Sequence, residues 1–336
     1  MFIQTDVTSR LAGSGNKKSK IAIVGDFTDG FDRNGGRPFS GPGGTVLENC
    51  LHSAGLIRGE CYLTNLIKET NSNPFTFFQK KNNGKFTFTE RGLEYVQLLA
   101  EELDDCGANI IVAAGDAAFA ALCGLGRLSM YRGYVFPSSI LPGKKVIPIY
   151  HPKQAMRGMY TYRYLIAADL RKVKDESAFP ELLRPERELV YNYDSCNDAL
   201  NWLEHYETQP AVGFDIEVLN YEVSCISMSS SPELACVFPL GERWSLDEEV
   251  CVWRGIQRVL GNPASTKIIQ NAMFDVPFLL TRAGVTVRGP IHDTMVGHSI
   301  LYPELQKGLG FLGSIYCGSQ EYWKDTVKFK NIKDES

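Results

Sequence analysis

The chain has 336 residues, 44% hydrophobic and 22% charged, a balance that suits globular folding and leaves room for two domains. No apolar run approaches the ~20 residues that span a bilayer, which excludes a membrane helix. Nine scattered cysteines with no CxxC pair argue for reduced thiols in a cytoplasmic compartment and against a cysteine-ligated zinc or iron–sulfur site.

Residues 1–19 read as a flexible leader without the basic-then-apolar order of a secretory signal. KIAIVGD (20–26) then predicts a buried strand, GTVLENCLHSAGL (44–56) a helix, CYLTNLIK (61–68) a second strand, and 89–106 a long helix. NIIVAAGD (109–116) is a third strand before the helix AAFAALCG, KVIPIYHP (145–152) a fourth, and 153–174 a last helix. This alternation implies a mostly parallel sheet covered on both faces. The charged, proline-containing stretch 175–187 is the linker. Beyond it come the strand ELVYNY (188–193), a helix to about 206, and three successive strands, VGFDIEV (212–218), VSCISMS (223–229) and LACVFPL (234–240). A helix at 246–260, the strand KIIQN, and helices near 275–283, 293–302 and 308–316 complete a mixed sheet flanked by helices. The net charge of −4 is divided unevenly. Residues 1–174 hold 22 Lys+Arg and 15 Asp+Glu (+7), residues 175–336 hold 13 and 24 (−11), and the two sum to −4. The basic half favours a polyanionic partner.

In an open α/β sheet, ligands bind outside the carboxyl ends of the strands. In the first half those ends carry GDFTDGFD (25–32), TNLIK (64–68), GDAA (115–118) and HPKQAMR (151–157), with the glycine-rich NGGRPFSGPGG after the first strand. Phe39 can stack on a ring, Asn65 offers a donor and an acceptor, and His151 adds a further polar group, so the crevice suits a flat heterocycle.

The order GRPFSGPGG, TNLIK, AAGDAAFAAL, YHPKQAMR resembles the uracil-DNA glycosylase superfamily, nearest its family 4 branch, over about 20–172. The resemblance implies a three-layer fold in which Phe39 stacks on a flipped-out uracil and Asn65 reads its edge. His151 stabilises the uracil anion as the glycosidic bond breaks. Apart from the resemblance, the basic residues near His151 (Lys153, Arg157 and Arg163) are placed to hold phosphates. The family motif GEAPG reads Gly25-Asp26-Phe27-Thr28-Asp29 here, which leaves Asp26 or Asp32 to orient a water, and the family 4 iron–sulfur cysteines are missing. Two readings stay open, an active glycosylase and a glycosylase-like module that holds template DNA. The departures favour the second. A purely structural scaffold would bind no DNA at low salt.

In the second half, Asp215 and Glu217 stand two apart in a strand, so their side chains leave one face. Apolar flanks place them at the end of a buried strand, where two carboxylates repel each other unless a cation lies between them. Hard oxygen ligands suit Mg²⁺ or Mn²⁺. NAMFD (271–275) sets Asn271 and Asp275 one helical turn apart at the next helix, within reach of the same cluster. GFDIE, QNAMFD and HDTMVGHSILYPELQKGLGFL resemble the 3′-5′ proofreading exonuclease of family A DNA polymerases, a DnaQ-like, ribonuclease H-like fold, over about 188–336. The resemblance makes Asp215, Glu217 and Asp275 metal ligands, Asn271 an assistant and Asp293 a structural residue. The family's third motif, Tyr or His followed four residues later by Asp, has no match after Phe311; Asp325 lies one residue too close to Tyr322. The chain therefore looks like the front of a bacteriophage-type polymerase acting on DNA, with the missing motif supplied by a polymerase domain or chain.

Overall fold

The computed structural model describes residues 10–70, 72–82, 84–156, 158–192, 195–241 and 243–317. They divide into two compact units. Among the described residues the first runs to Arg184 and is rejoined by residues 310–317; the second is Pro185–Leu309.

The first unit contains β1 (Ile21–Phe27), α1 (Gly30–Gly35), α2 (Pro42–Ser53), β2 (Cys61–Ile67), β3 (Phe78–Lys80), β4 (Phe86–Phe88) and α3 (Glu90–Asp104), followed by β5 (Ile110–Ala114), α4 (Asp116–Cys123), α5 (Leu128–Tyr131), β6 (Phe136–Pro137), β7 (Lys145–Ile149) and α6 (Tyr162–Glu176). Its main sheet has the order β2-β1-β5-β7-β6, parallel except for β6. β2, β5 and β7 are buried at every position, as strands covered on both faces require.

Three expectations change here. The leader is not loose from residue 10 on: Arg10 bridges Glu69 and Ser14 bridges Leu63. The helix expected at 153–174 is split into a 3₁₀ turn at Pro152–Met156 and α6, because Gly158 between them has a positive φ of 81°. The hairpin β3–β4 was not expected, since three-residue strands are too short to show a period.

Residues 310–317, most of them in α11 (Leu309–Tyr316), pack on the first unit. Buried Arg132 ion-pairs with buried Asp169 and donates to Ser314 Oγ at 2.5 Å. The Tyr134 hydroxyl donates to the Gly310 carbonyl at 2.6 Å, and Lys172 donates to the Cys317 carbonyl at 2.8 Å.

The second unit contains β8 (Glu188–Tyr191), α7 (Cys196–Glu207), β9 (Ala211–Leu219), β10 (Glu222–Ser229), β11 (Leu234–Pro239), α8 (Leu246–Gly261), β12 (Thr266–Ile269), α9 (Ala272–Phe278), β13 (Ile291–Asp293) and α10 (Thr294–Leu301). The sheet order is β13-β12-β9-β10-β11-β8. β9, β10 and β11 form an antiparallel meander, while β12 joins β9 in parallel. Val212, Phe214 and Ile216 of β9 turn to a core shared with Leu203, Tyr206, Val252 and Ile256 of α7 and α8. Both halves thus have the mixed α/β architecture expected of them. No helix among the described residues is long and apolar enough to cross a membrane.

Candidate functional site

The first unit gathers a pocket at the carboxyl ends of β1 and β2, lined by Phe27, Asp29, Asp32, Phe39, Asn65, His151 and Lys153 together with Gly41, Gly43 and Gly44. β1 and β2 pair so that Gly25 lies beside Asn65. A Cβ on Gly25 would come within 2.3 Å of Asn65 Oδ1 and 2.9 Å of the Phe39 ring, so the absence of a side chain there makes room for both.

Asn65 is buried and its amide is fixed. Nδ2 donates to Asp32 Oδ2 at 3.0 Å and to Thr28 Oγ1 at 3.3 Å. Both amide hydrogens are spoken for, which leaves Oδ1 as the group that can accept from a ligand. Asp32 also accepts from the Ser40 amide at 3.0 Å and so ties the Phe39 loop to Asn65. Burial raises the Asp32 carboxyl above its ordinary range, against the lowering effect of these donors.

Phe39 has a φ of 55°, a left-handed conformation that an aromatic residue adopts only when its surroundings enforce it. Arg58 supplies that constraint by donating to the Pro38 carbonyl at 2.7 Å and the Phe39 carbonyl at 3.1 Å. α2 closes from the other side: a Cβ on Gly44 would lie 1.8 Å from the Phe39 carbonyl oxygen. The ring is held against His151, with centroids 6.0 Å apart and planes 27° from parallel. His151 Nδ1 accepts from the Lys153 amide at 3.2 Å, which assigns the proton of a neutral imidazole to Nε2.

The other candidates fall in different places. Asp26 does not line the pocket. It faces α4 instead, where its carboxylate accepts from the Ala118 amide at 2.9 Å, and burial pushes it up to about 7. The reason is the strand period: Gly25 faces Asn65, so the next residue faces the opposite way. Asp29 and Asp32 take the pocket positions. Lys153, expected to hold phosphates, turns inward and ion-pairs with Asp29. Burial opposes ionisation of Asp29, yet Lys153 and two backbone amides together hold its carboxyl below the ordinary range. Arg163 is exposed at the start of α6, 5.9 Å over the Tyr160 ring. Arg157 lies outside the described residues. Arg58 and Thr28 were missed, because nothing local in the sequence marks a residue that serves a loop nineteen or more positions away.

In the second unit Asp215 and Glu217 are exposed rather than buried, alternating with buried Phe214 and Ile216. The apolar neighbours point to the core and so leave the carboxylates on the open face. Buried Asp275 accepts at Oδ1 from the amide of Ile216, the residue between them, at 3.2 Å, which brings the three carboxylates together. Partial loss of water, then repulsion from Asp275 and Glu217, pushes Asp215 up to about 6. Asp293 accepts from the backbone amides of Asn271, Ala272, Met295 and Val296; it fastens the start of α9 to α10, a structural task. Asn271 is exposed with a φ of 66° and places no side-chain cap on α9.

A divalent ion needs these oxygens to converge on one point. Among the described residues no group of three His, Cys, Asp or Glu side chains is arranged to hold one. The expected Mg²⁺ or Mn²⁺ ligand set of Asp215, Glu217 and Asp275 is therefore not formed as these residues stand; Asp275 spends one oxygen on the backbone of β9. Tyr322 and Asp325, the substitutes for the third motif, lie outside the described residues.

A family described as the uracil DNA glycosylase superfamily matches residues 12–171, and one described as 3′-5′ exonuclease matches 190–334. The type-4 uracil-DNA glycosylase of Thermotoga maritima is 26% identical over 168 residues, 50% of this chain and 82% of the relative. That of Archaeoglobus fulgidus is 30% identical over 151 residues, 43% of this chain and 71% of the relative. Among solved structures, Trypanosoma brucei RNase D aligns at 17% identity with a TM-score of 0.34, over 42% of this chain and 50% of that one. The catalytic core of RRP6 from the same organism aligns at 15% identity and 0.33, over 39% and 35%. The chain thus spans half or less of these two structures.

Proposed function

The chain belongs to the uracil DNA glycosylase superfamily, and from that membership we propose that its first unit removes uracil from DNA. The observation that carries this reading is the meeting of Phe39, Asn65, His151 and Asp32 in one pocket. A flipped-out pyrimidine stacks on Phe39. Asn65 Oδ1 accepts from the base N3–H. As the bond between C1′ and N1 breaks, its electron pair stays with the base, and His151 donates from Nε2 to the oxygen where that charge collects. In this reading Asp29 or Asp32 offsets the positive charge left on the sugar, holds the water that adds to C1′ and takes its proton, which then passes to the departing base anion. The products are free uracil and an abasic sugar.

The second unit resembles the exonuclease of family A polymerases, and we propose that it binds a DNA 3′ end and digests it slowly, because its ligand set is not formed. On the same resemblance we propose that the protein serves DNA replication beside a bacteriophage-type polymerase, in one chain or two, in the cytoplasm. A pocket of about 10 Å³ favours a second reading of the first unit, a module that holds template DNA without cutting it.

One assay separates these readings. A uracil-containing single strand incubated with the purified chain and EDTA is expected to release free uracil, with His151→Ala slower by roughly a hundredfold. No release leaves the binding module. Adding Mg²⁺ or Mn²⁺ to a 3′-labelled strand is expected to give slow digestion that Asp215→Ala abolishes; brisk digestion would show a working ligand set.

A further inference from the structure

Resting on the glycosylase reading, we infer that Lys153 and Asp29 form a latch that fills the base pocket until a DNA phosphate draws the ammonium away. The pocket encloses about 10 Å³, the space of a single water, and a pyrimidine cannot enter it as it stands. Most of its walls are fixed. Asp32 and Thr28 hold Asn65, Arg58 holds the Phe39 loop, and the Lys153 amide holds the His151 ring. Asp29 is anchored as the cap of α1, where it accepts from the Asp32 amide.

The Lys153 side chain is the long, rotatable member of the lining. Its stem lies over Gly43, where an added Cβ would come within 2.7 Å of Lys153 Cγ. Its ammonium pairs with Asp29 and sits 5.4 Å from the centre of the Phe27 ring. A third of the side chain, 34%, stays exposed, so the ammonium can swing outward without disturbing the core. The pair is partly exposed, 34% on the lysine and 16% on the aspartate, so a phosphate at the pocket mouth can compete for the same ammonium as a charge-assisted partner. Phosphate binding and pocket opening are then one event, which confines base capture to a strand already bound.

The test is calorimetric titration of free uracil into the native chain, Lys153→Ala and Asp29→Asn. Both variants are expected to bind uracil about tenfold or more tighter than the native chain. Uracil is neutral, and the two substitutions change the charge of the pocket in opposite directions. A purely electrostatic role would therefore shift their affinities in opposite directions, whereas removal of a latch shifts both the same way. Equal binding by all three proteins, or opposite shifts, overturns the latch. If the native chain still releases uracil from DNA in that case, the glycosylase reading stands without it. If none of the three binds uracil or releases it, both fail together.

Discussion

Burial raises both Asp26 and Asp32, yet the two carboxyls serve different neighbours. Asp26 ties β1 to the start of α4, with Gly115 left bare because a Cβ there would lie 2.3 Å from its oxygen. Asn in its place keeps an oxygen for the Ala118 amide and removes the charge. The folded carboxyl titrates near 7 against an ordinary 3.8, so across that window the folded state holds a proton that the unfolded chain gives up. The stability this contributes is present below the ordinary value and is lost as the pH rises through about 7. Urea midpoints of the native chain should therefore decline between pH 4 and 8 relative to Asp26→Asn; parallel midpoints would show that Asp26 does not titrate there. At this scale the sequence reveals residues that act as themselves. Phe39, Asn65 and His151 are legible because each presents its own side chain to the pocket from a strand end or a turn. Arg58, Thr28 and the inward turn of Lys153 are not, because each depends on a partner that only the folded chain brings near.

Strands and helices with a buried face were legible from their apolar runs, since β1, β5 and β9 must hide Ile, Val and Phe wherever they lie. What stayed hidden was set by single residues or by tertiary contact. Gly158 divides the helix expected at 153–174, and the β3–β4 hairpin holds together by packing Phe78 against Phe86 and Phe88. α11 is the clearest case. Its sequence reads as part of the second domain, but its chain from Gly310 belongs to the first unit, because Arg132, Tyr134 and Lys172 offer donors that its hydroxyl and carbonyls satisfy. Asp169 supplies the charge that lets Arg132 be buried there. Asp169→Ala would leave that guanidinium buried and unpaired, at a cost of about 3–5 kcal/mol. Equilibrium urea unfolding should show the loss, and a shift below ~1 kcal/mol would mean that water reaches Arg132 once Asp169 is gone.

Across the whole molecule the division of charge should set where DNA is held. The first 174 residues carry +7 and the rest −11, so a polyanion is attracted by one part of the sequence and repelled by the other. Affinity for a single strand should therefore fall steeply with salt, because each phosphate neutralised releases counterions. Arg163 is the described, exposed cation among the residues expected to contact phosphate, set where α6 begins. If it contacts one phosphate, Arg163→Gln should flatten the slope of log affinity against log salt by about 0.7, the increment for one contact on a single strand. Asp215→Asn, which removes a negative charge from the carboxylate site of the second unit, should leave the slope unchanged if the first unit does the holding. Fluorescence anisotropy of a labelled strand, measured from low to physiological salt, distinguishes the cases. An unchanged slope in Arg163→Gln together with a steeper one in Asp215→Asn would move the binding surface to the second unit, where local carboxylates rather than the balance of the domain would then govern affinity.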